Sequence, residues 1–173
     1  MAISVGILTV SDRCSRGETE DVSGPVIYQW AKEGLKAEVR RQAIVPDERE
    51  RIREILCVWS DREGLDLILT TGGTGFAPRD ITPEATRDVI ERETPGLTEA
   101  MRVEGLKSTP HAMLSRAMAG IRGQTLIVNL PGSPKAVREG LAVILPALPH
   151  AIEILKGVHG ADQRHEYKGA NSK

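Results

Sequence analysis

Aromatic side chains are scarce in this chain of 173 residues: two tryptophans, two tyrosines and a single phenylalanine. So few rings cannot build a platform on which nucleic-acid bases stack. An excess of charge is lacking too, since 23 Lys+Arg against 24 Asp+Glu leave a formal net charge of −1. That balance gives no general attraction to polyanions, so neither nucleic acid nor a membrane surface is expected as a partner. Cysteine is limited to Cys14 and Cys57, without CxxC spacing. This reads as two free thiols in a reducing compartment rather than as a disulfide or a metal pair. No apolar run approaches the ~20 residues of a membrane-spanning helix. Residues 3–10 lack the basic flank and cleavage site of a secretory signal, so a cytoplasmic location is expected. His111, His150, His159 and His165 show no ligand spacing such as HExxH, and surface or core packing accounts for them.

What remains is an ordinary globular composition, 40% hydrophobic and 27% charged, in a length suited to one domain with a substantial core. Residues 3–10 are β-rich and apolar on both alternating sets, as in a strand covered on both faces. A polar loop over 11–20 leads to a predicted helix over 21–34, with Val26, Ile27, Trp30, Ala31 and Leu35 as its core stripe. Residues 36–45 read as a strand with interleaved polar positions, which suggests a sheet edge. A helix starting at Pro46-Asp47 places Ile52, Ile55, Leu56 and Trp59 at i, i+3, i+4 and i+7. A strand over 65–70, a helix over 82–93, a break at Thr94-Pro95-Gly96 and a further helix through Leu106 follow. Apolar runs at 117–121 and 125–130, joined by Arg122-Gly123-Gln124, predict a hairpin. The closing helical region from Pro131 is divided by Pro146 and Pro149. The alternation predicts a three-layer α/β/α sandwich whose sheet is mostly parallel, with one antiparallel strand from the late hairpin. One domain over 1–156 and a polar tail over 157–173 complete the expected organisation.

The richest segment is TTGGTGFAPRDITPEAT, residues 70–86, between an apolar strand and a helical pattern. A glycine-rich turn in that setting can offer backbone N–H groups to an anion. Gly72, Gly73 and Gly75 allow close approach of a ligand and tolerate positive φ. Asp80 puts a carboxylate where a metal held against phosphate could sit, and Thr82-Pro83 reads as a helix N-cap and first residue. The turn matches neither GxxxxGK[ST] nor GxGxxG, so it is neither a Walker A loop nor a dinucleotide fingerprint. A purely structural turn is the alternative, and Asp80 could then merely close the loop. Asp47 likewise reads either as a plain N-cap or as a site acid. Gly132-Ser133-Pro134-Lys135 reads as a second anion-binding helix start or as a turn with a solvated lysine. Arg79 could pair with acids or face phosphate. In a parallel sheet, ligands bind beyond the carboxyl ends of the strands. Ser11-Asp12-Arg13, Asp47, the segment 72–80 and the segment 131–135 all fall on that rim. Magnesium takes few carboxylates when substrate phosphates complete its shell, so two of these acids would suffice.

The motifs TVSDR (9–13), VPDE (45–48), TTGGTG (70–75), RDITPEAT (79–86), LSRAMAGI (114–121) and NLPGSPKAV (129–137) follow one another in order. In this the chain resembles the molybdopterin adenylyltransferases of molybdenum-cofactor biosynthesis, the MogA/MoaB-like proteins and the gephyrin G domain, over about residues 3 to 156. The resemblance implies a homotrimer that binds molybdopterin and Mg-ATP and transfers AMP to the terminal phosphate of molybdopterin, releasing pyrophosphate. The adenylylated product is the substrate for molybdate insertion, which makes a molybdate-inserting enzyme a candidate partner. It further implies that Asp47 and Asp80 are the required acids, and their chemistry makes them the expected holders of Mg²⁺ on the triphosphate. Gly72, Gly73, Thr74 and Gly75 would form the nucleotide/pterin loop, Pro131, Gly132 and Ser133 would line the pterin side, and Ser11 and Asp12 would help close the pocket. A trimeric paralogue that binds pterin without catalysis is the competing expectation within the family. A generic magnesium-dependent phosphohydrolase is the competing expectation outside it.

Overall fold

The computed structural model describes residues 2–158 and 160–161. Six strands form one sheet in the order β2-β1-β3-β6-β5-β4. These are β1 (Ser4–Val10), β2 (Glu38–Val45), β3 (Leu67–Thr71), β4 (Arg92–Glu93), β5 (Ala119–Arg122) and β6 (Thr125–Leu130). Strands β2, β1, β3 and β6 run parallel, and β5 is antiparallel to both β6 and β4. The helices are α1 (Asp12–Ser15), α2 (Ser23–Gly34), α3 (Arg49–Cys57), α4 (Thr82–Arg87), α5 (Pro95–Leu106), α6 (Pro134–Ile144) and α7 (Leu148–Leu155).

Alternation along the buried central strands distributes side chains to two cores, because successive strand residues point to opposite faces. Val5, Ile7, Leu67, Leu69, Leu126, Val128 and Leu130 pack beneath α2, α5, α6 and α7. Leu8, Val10, Ile68 and Ile127 pack against Ile52, Leu56 and Trp59 of the α3 region and Ala85 and Val89 of the α4 region. The expected sandwich with its single antiparallel strand is therefore present. Strand β2 is mostly exposed, as an edge should be. Trp59 packs on β1 at Gly6, where a β-carbon would come within 2.6 Å of its ring; only glycine leaves that room.

Three local expectations are corrected. The loop 11–20 contains the single helical turn α1, capped by Ser11, whose hydroxyl accepts from the Cys14 N–H at 3.2 Å. The helix expected over 82–93 ends at Arg87. The chain there turns to the sheet, with the Glu91 N–H donating to the Ile121 carbonyl at 2.8 Å, and Arg92–Glu93 become an edge strand on β5. The strand expected from Lys36 starts at Glu38, because Lys36 takes φ 52° and the chain reverses there. Residues 159 and 162–173, with His159, His165 and Tyr167 of the expected tail, lie outside the described residues. Among the described residues no helix is long and apolar enough to cross a membrane.

Asn129, fully buried on β6, ties three elements together. Its amide nitrogen donates to the Thr70 hydroxyl at 3.0 Å and the Thr86 hydroxyl at 2.9 Å, while its oxygen accepts from the Met118 N–H at 3.2 Å. Removing such a group strands buried polar partners, each costing about 1–3 kcal/mol. Asn129→Ala should therefore lose about 2–4 kcal/mol in urea unfolding with an unchanged m-value. A loss below ~1 kcal/mol would show that the network relaxes without it.

Candidate active site

The rim at the carboxyl ends of β1, β2, β3 and β6 gathers the segments singled out in the sequence. Gly72 and Gly73 have φ 94° and 64°, the left-handed region that side chains disfavour. Neither position has room for a β-carbon: one on Gly72 would collide with the Val10 carbonyl, and one on Gly73 with the Thr82 hydroxyl. The loop is consequently laid flat across the end of β1. Thr82 fastens it, its N–H donating to the Gly73 carbonyl at 3.0 Å and its hydroxyl to the Gly72 carbonyl at 2.9 Å. Thr82 is thus the first residue of α4 rather than its N-cap, which is Ile81.

Asp47 and Asp80 flank this loop. A β-carbon on Gly73 would stand 2.9 Å from Asp47 Oδ1, and one on Gly75 would stand 2.9 Å from Asp80 Oδ2. Asp47 caps no helix, because α3 begins after Glu48. Asp47 instead forms a reciprocal pair with Asp12. Its Oδ2 accepts the Asp12 N–H at 2.9 Å, and its own N–H donates to Asp12 Oδ1 at 3.0 Å. Arg79 resolves its sequence ambiguity by clasping Asp12, Nε to Oδ2 at 2.5 Å and Nη2 to Oδ1 at 2.9 Å. That guanidinium holds Asp12 below the usual carboxylate range. Burial pushes Asp47 the other way, and the negative charges of Asp12 and Asp80 add to the rise. Asp80 closes a turn on Ala77, Oδ2 accepting the Ala77 N–H at 3.0 Å.

The fourth segment is drawn in by two hydroxyls. Thr71 donates to the Pro131 carbonyl at 2.6 Å and Ser23 to the Gly132 carbonyl at 2.7 Å. A β-carbon on Gly132 would be 3.5 Å from the Gly72 Cα, so the two loops pack backbone to backbone. Ser133 caps α6, accepting from the Ala136 N–H at 3.1 Å. Lys135 is exposed, its Nζ 3.8 Å from Glu139.

A cleft of about 430 Å³ opens beside the glycine loop, within the size range of small-molecule sites. Gly73, Thr74, Gly75, Asp80, Pro131 and Gly132 form one side of it. Ser11, Asp12, Asp47, Gly72 and Ser133 do not line it; the first three sit across the loop, on the side of the Asp12–Asp47 pair. The opposite wall comes from α5 and the 3-10 turn Pro110–Leu114, with Arg102, Thr109, His111 and Ser115. Arg102, Thr109 and His111 had no spacing signal, while Ser115 falls within the LSRAMAGI motif; the packing of α5 against α6 and β5 brings this wall to the glycine loop.

The raised pKa of Asp47 has a consequence for stability. Its folded form favours the proton more than the unfolded chain does, so stability is greatest below the ordinary carboxylate pKa and declines as pH rises through the raised one. Asp47→Asn keeps an oxygen for the Asp12 N–H and removes the charge. It should melt at a higher temperature than the parent at neutral pH, and the gap should close as the solution is acidified through the carboxylate range. An equal or lower melting temperature at neutral pH would contradict this electrostatic picture.

Residues 6–150 match the family described as a probable molybdopterin binding domain. The molybdopterin adenylyltransferase of Helicobacter pylori (strain J99) is 46% identical over 156 residues, covering 90% of this chain and 89% of that protein. The crystal structure of the molybdopterin biosynthesis enzyme MoaB of Thermus thermophilus superposes with a TM-score of 0.85 at 56% identity, covering 90% of this chain and 97% of that one. A structure of MogA gives 0.82 at 41% identity, covering 88% and 99%. The chain spans only 26% of the length of the molybdenum cofactor synthesis protein cinnamon of Drosophila melanogaster and 22% of gephyrin of Dictyostelium discoideum, at 49% and 50% identity. With a family model matched over residues 6–150, and with close relatives in sequence and in fold over nearly the same length, the chain belongs to the molybdopterin-binding family of molybdenum-cofactor biosynthesis.

Proposed function

We propose that this chain is a molybdopterin adenylyltransferase. An oxygen of the terminal phosphate of molybdopterin attacks the α-phosphorus of ATP, the bond to the departing pyrophosphate breaks, and adenylylated molybdopterin is formed. The observation that carries the reading is the pair Asp47 and Asp80 on either flank of the glycine loop 73–75, with Asp80 lining a cleft of small-molecule size and Asp47 across the loop from it. The 46% identity to an adenylyltransferase over nearly all of both chains supports it.

Both reactants are anionic, so the site must screen their repulsion and hold them in line. No covalent nucleophile is required. The N–H groups of Gly73, Thr74 and Gly75 would donate to phosphate oxygens, and Asp47 and Asp80 would hold Mg²⁺. The donor chemistry fits, because carboxylate oxygens suit this hard cation. Asp47 Oδ1 receives no hydrogen bond among the described residues, and the Asp47 pKa is raised, chiefly by burial and to a lesser degree by the charges of Asp12 and Asp80. Among the described residues no three His, Cys, Asp or Glu side chains are grouped to hold a metal ion. Substrate phosphates would therefore complete the shell. The bound ion would supply charge neutralisation on the triphosphate. Ser11 and Asp12 would help close the pocket from across the loop, and Pro131, Gly132 and Ser133 would line the pterin side.

A pterin-binding paralogue without transferase activity is the second reading. The description of the matched family, which names binding alone, a probable molybdopterin binding domain, is what supports it. Trimer formation and a cytoplasmic location belong to the same proposal. The exposed apolar side chains Val103, Leu106, Met113 and Leu114 on α5 and the adjoining turn support self-association.

Incubation with molybdopterin and Mg-ATP should release pyrophosphate only when molybdopterin is present, and mass spectrometry should detect the adenylylated dithiolene. Absence of that product under reducing conditions would favour the pterin-binding paralogue, and pyrophosphate or phosphate release without pterin would favour a hydrolase. Asp80→Ala and Asp80→Asn should each lower turnover about a hundredfold or more, while unfolding free energy changes by no more than ~1 kcal/mol. An active Asp80→Ala protein would remove Asp80 from the mechanism.

A further inference from the structure

Arg116 carries no role in the site as described, yet its contacts converge on one loop. It lies between the turn Pro110–Leu114 and β5. Its N–H donates to the Thr74 carbonyl at 2.8 Å, its Nε to the Gly75 carbonyl at 2.7 Å and its Nη2 to the Asp80 carbonyl at 2.8 Å. Its Nη1 donates to Glu84 on the first turn of α4. One residue therefore grips both ends of the segment that starts at the last glycine and stops at Asp80.

Between those ends Phe76, Ala77, Pro78 and Arg79 are exposed. Inside the segment there is only the Asp80–Ala77 turn, closed at 2.9 Å and 3.0 Å. The Arg79–Asp12 pair helps little, because Arg79 is 61% exposed and solvent-facing ion pairs contribute little. Arg116 and Glu84 are half-buried, 33% and 30% exposed, so their pair is better shielded. The arrangement needs a guanidinium. Its planar fork sends donors in fixed directions to two carbonyls and a carboxylate at once, which the single ammonium of lysine cannot do.

We propose that Arg116, anchored by Glu84, is a positioning residue that sets the placement of the Asp80 carboxylate relative to the amides of Gly73 to Gly75. Its mechanical part stands on the hydrogen bonds alone; its effect on turnover rests on the assignment of Asp80 as a magnesium-holding acid. Groups that orient a metal-holding side chain typically matter 10–100-fold for metal affinity or activity.

The test uses Arg116→Lys and Glu84→Gln in the full chain. Without ligands, hydrogen exchange read by mass spectrometry should be about tenfold faster in Arg116→Lys for the peptide spanning residues 75–81, with β3 and β6 unchanged. Glu84→Gln should give a smaller acceleration in the same peptide and reports on the brace should Arg116→Lys fail to fold. In the transfer assay, Arg116→Lys should need about 10–100-fold more magnesium for half-maximal rate and recover part of its turnover when magnesium saturates. A merely structural loss would instead lower the rate equally at every magnesium concentration, and that result would overturn the positioning role. Unchanged exchange over residues 75–81 in the folded variants would overturn the brace itself. A parent protein that makes no adenylylated product would sink the transferase reading, leaving exchange to decide the brace on its own.

Discussion

The rim of this molecule depends on backbone pressed against backbone where the loop after β3 crosses the end of β1. Gly72 meets the Val10 carbonyl, Gly73 meets the Thr82 hydroxyl, and Gly132 packs on Gly72. Side chains at Gly72 or Gly73 would lift the loop from the sheet, and the hydrogen bonds from Thr82 and Thr71 would be lost with it. Because the loop lies flat, its amides stay free of side-chain cover. The acids Asp47 and Asp80 stand against its two ends, at Gly73 and Gly75.

That closeness has an electrostatic cost, and the surroundings distribute it. Asp12 sits between Arg79 and Asp47, drawing the arginine's positive charge to itself while exchanging backbone hydrogen bonds with Asp47. Asp47 is left less well compensated and half-buried, with its pKa raised. An acid kept in an unfavourable state by its neighbours is a common mark of a functional position, since stability alone would select a neutral residue there. The fold tolerates it because the buried strands on either side supply most of the cohesion.

Much of the architecture was legible because buried strands and amphipathic helices write their periods into sequence. The β-rich run of β1, apolar on both alternating sets, and the i, i+3, i+4, i+7 stripe of α3 and the turn after it are examples. The misreadings occurred where two periods agree locally. Val89 and Ile90 fall at helical spacing after Ala85, yet Ile90 sits on the turn feeding β4, its side chain filling the space left by Gly120. Asp47 and Thr82 both occupy positions that usually cap helices, and both are used instead to tie loops across the rim. A cap is a local event and can be guessed from neighbours in sequence. A hydrogen bond spanning 35 residues, as between Asp12 and Asp47, cannot.

The sequence alone determined the main alternation of strands and helices, the late hairpin and the glycine loop between β3 and α4, because hydrophobic period and glycine placement are local properties of the chain; the short elements α1 and β4 escaped it. Tertiary structure alone decided which side each acid faces, that Arg79 clasps Asp12, that α5 supplies the far wall of the cleft, and that Arg116 reaches back to the carbonyls of Gly75 and Asp80. These contacts join residues far apart in the chain. They arise only when the sheet has closed and packing fixes which distant groups meet.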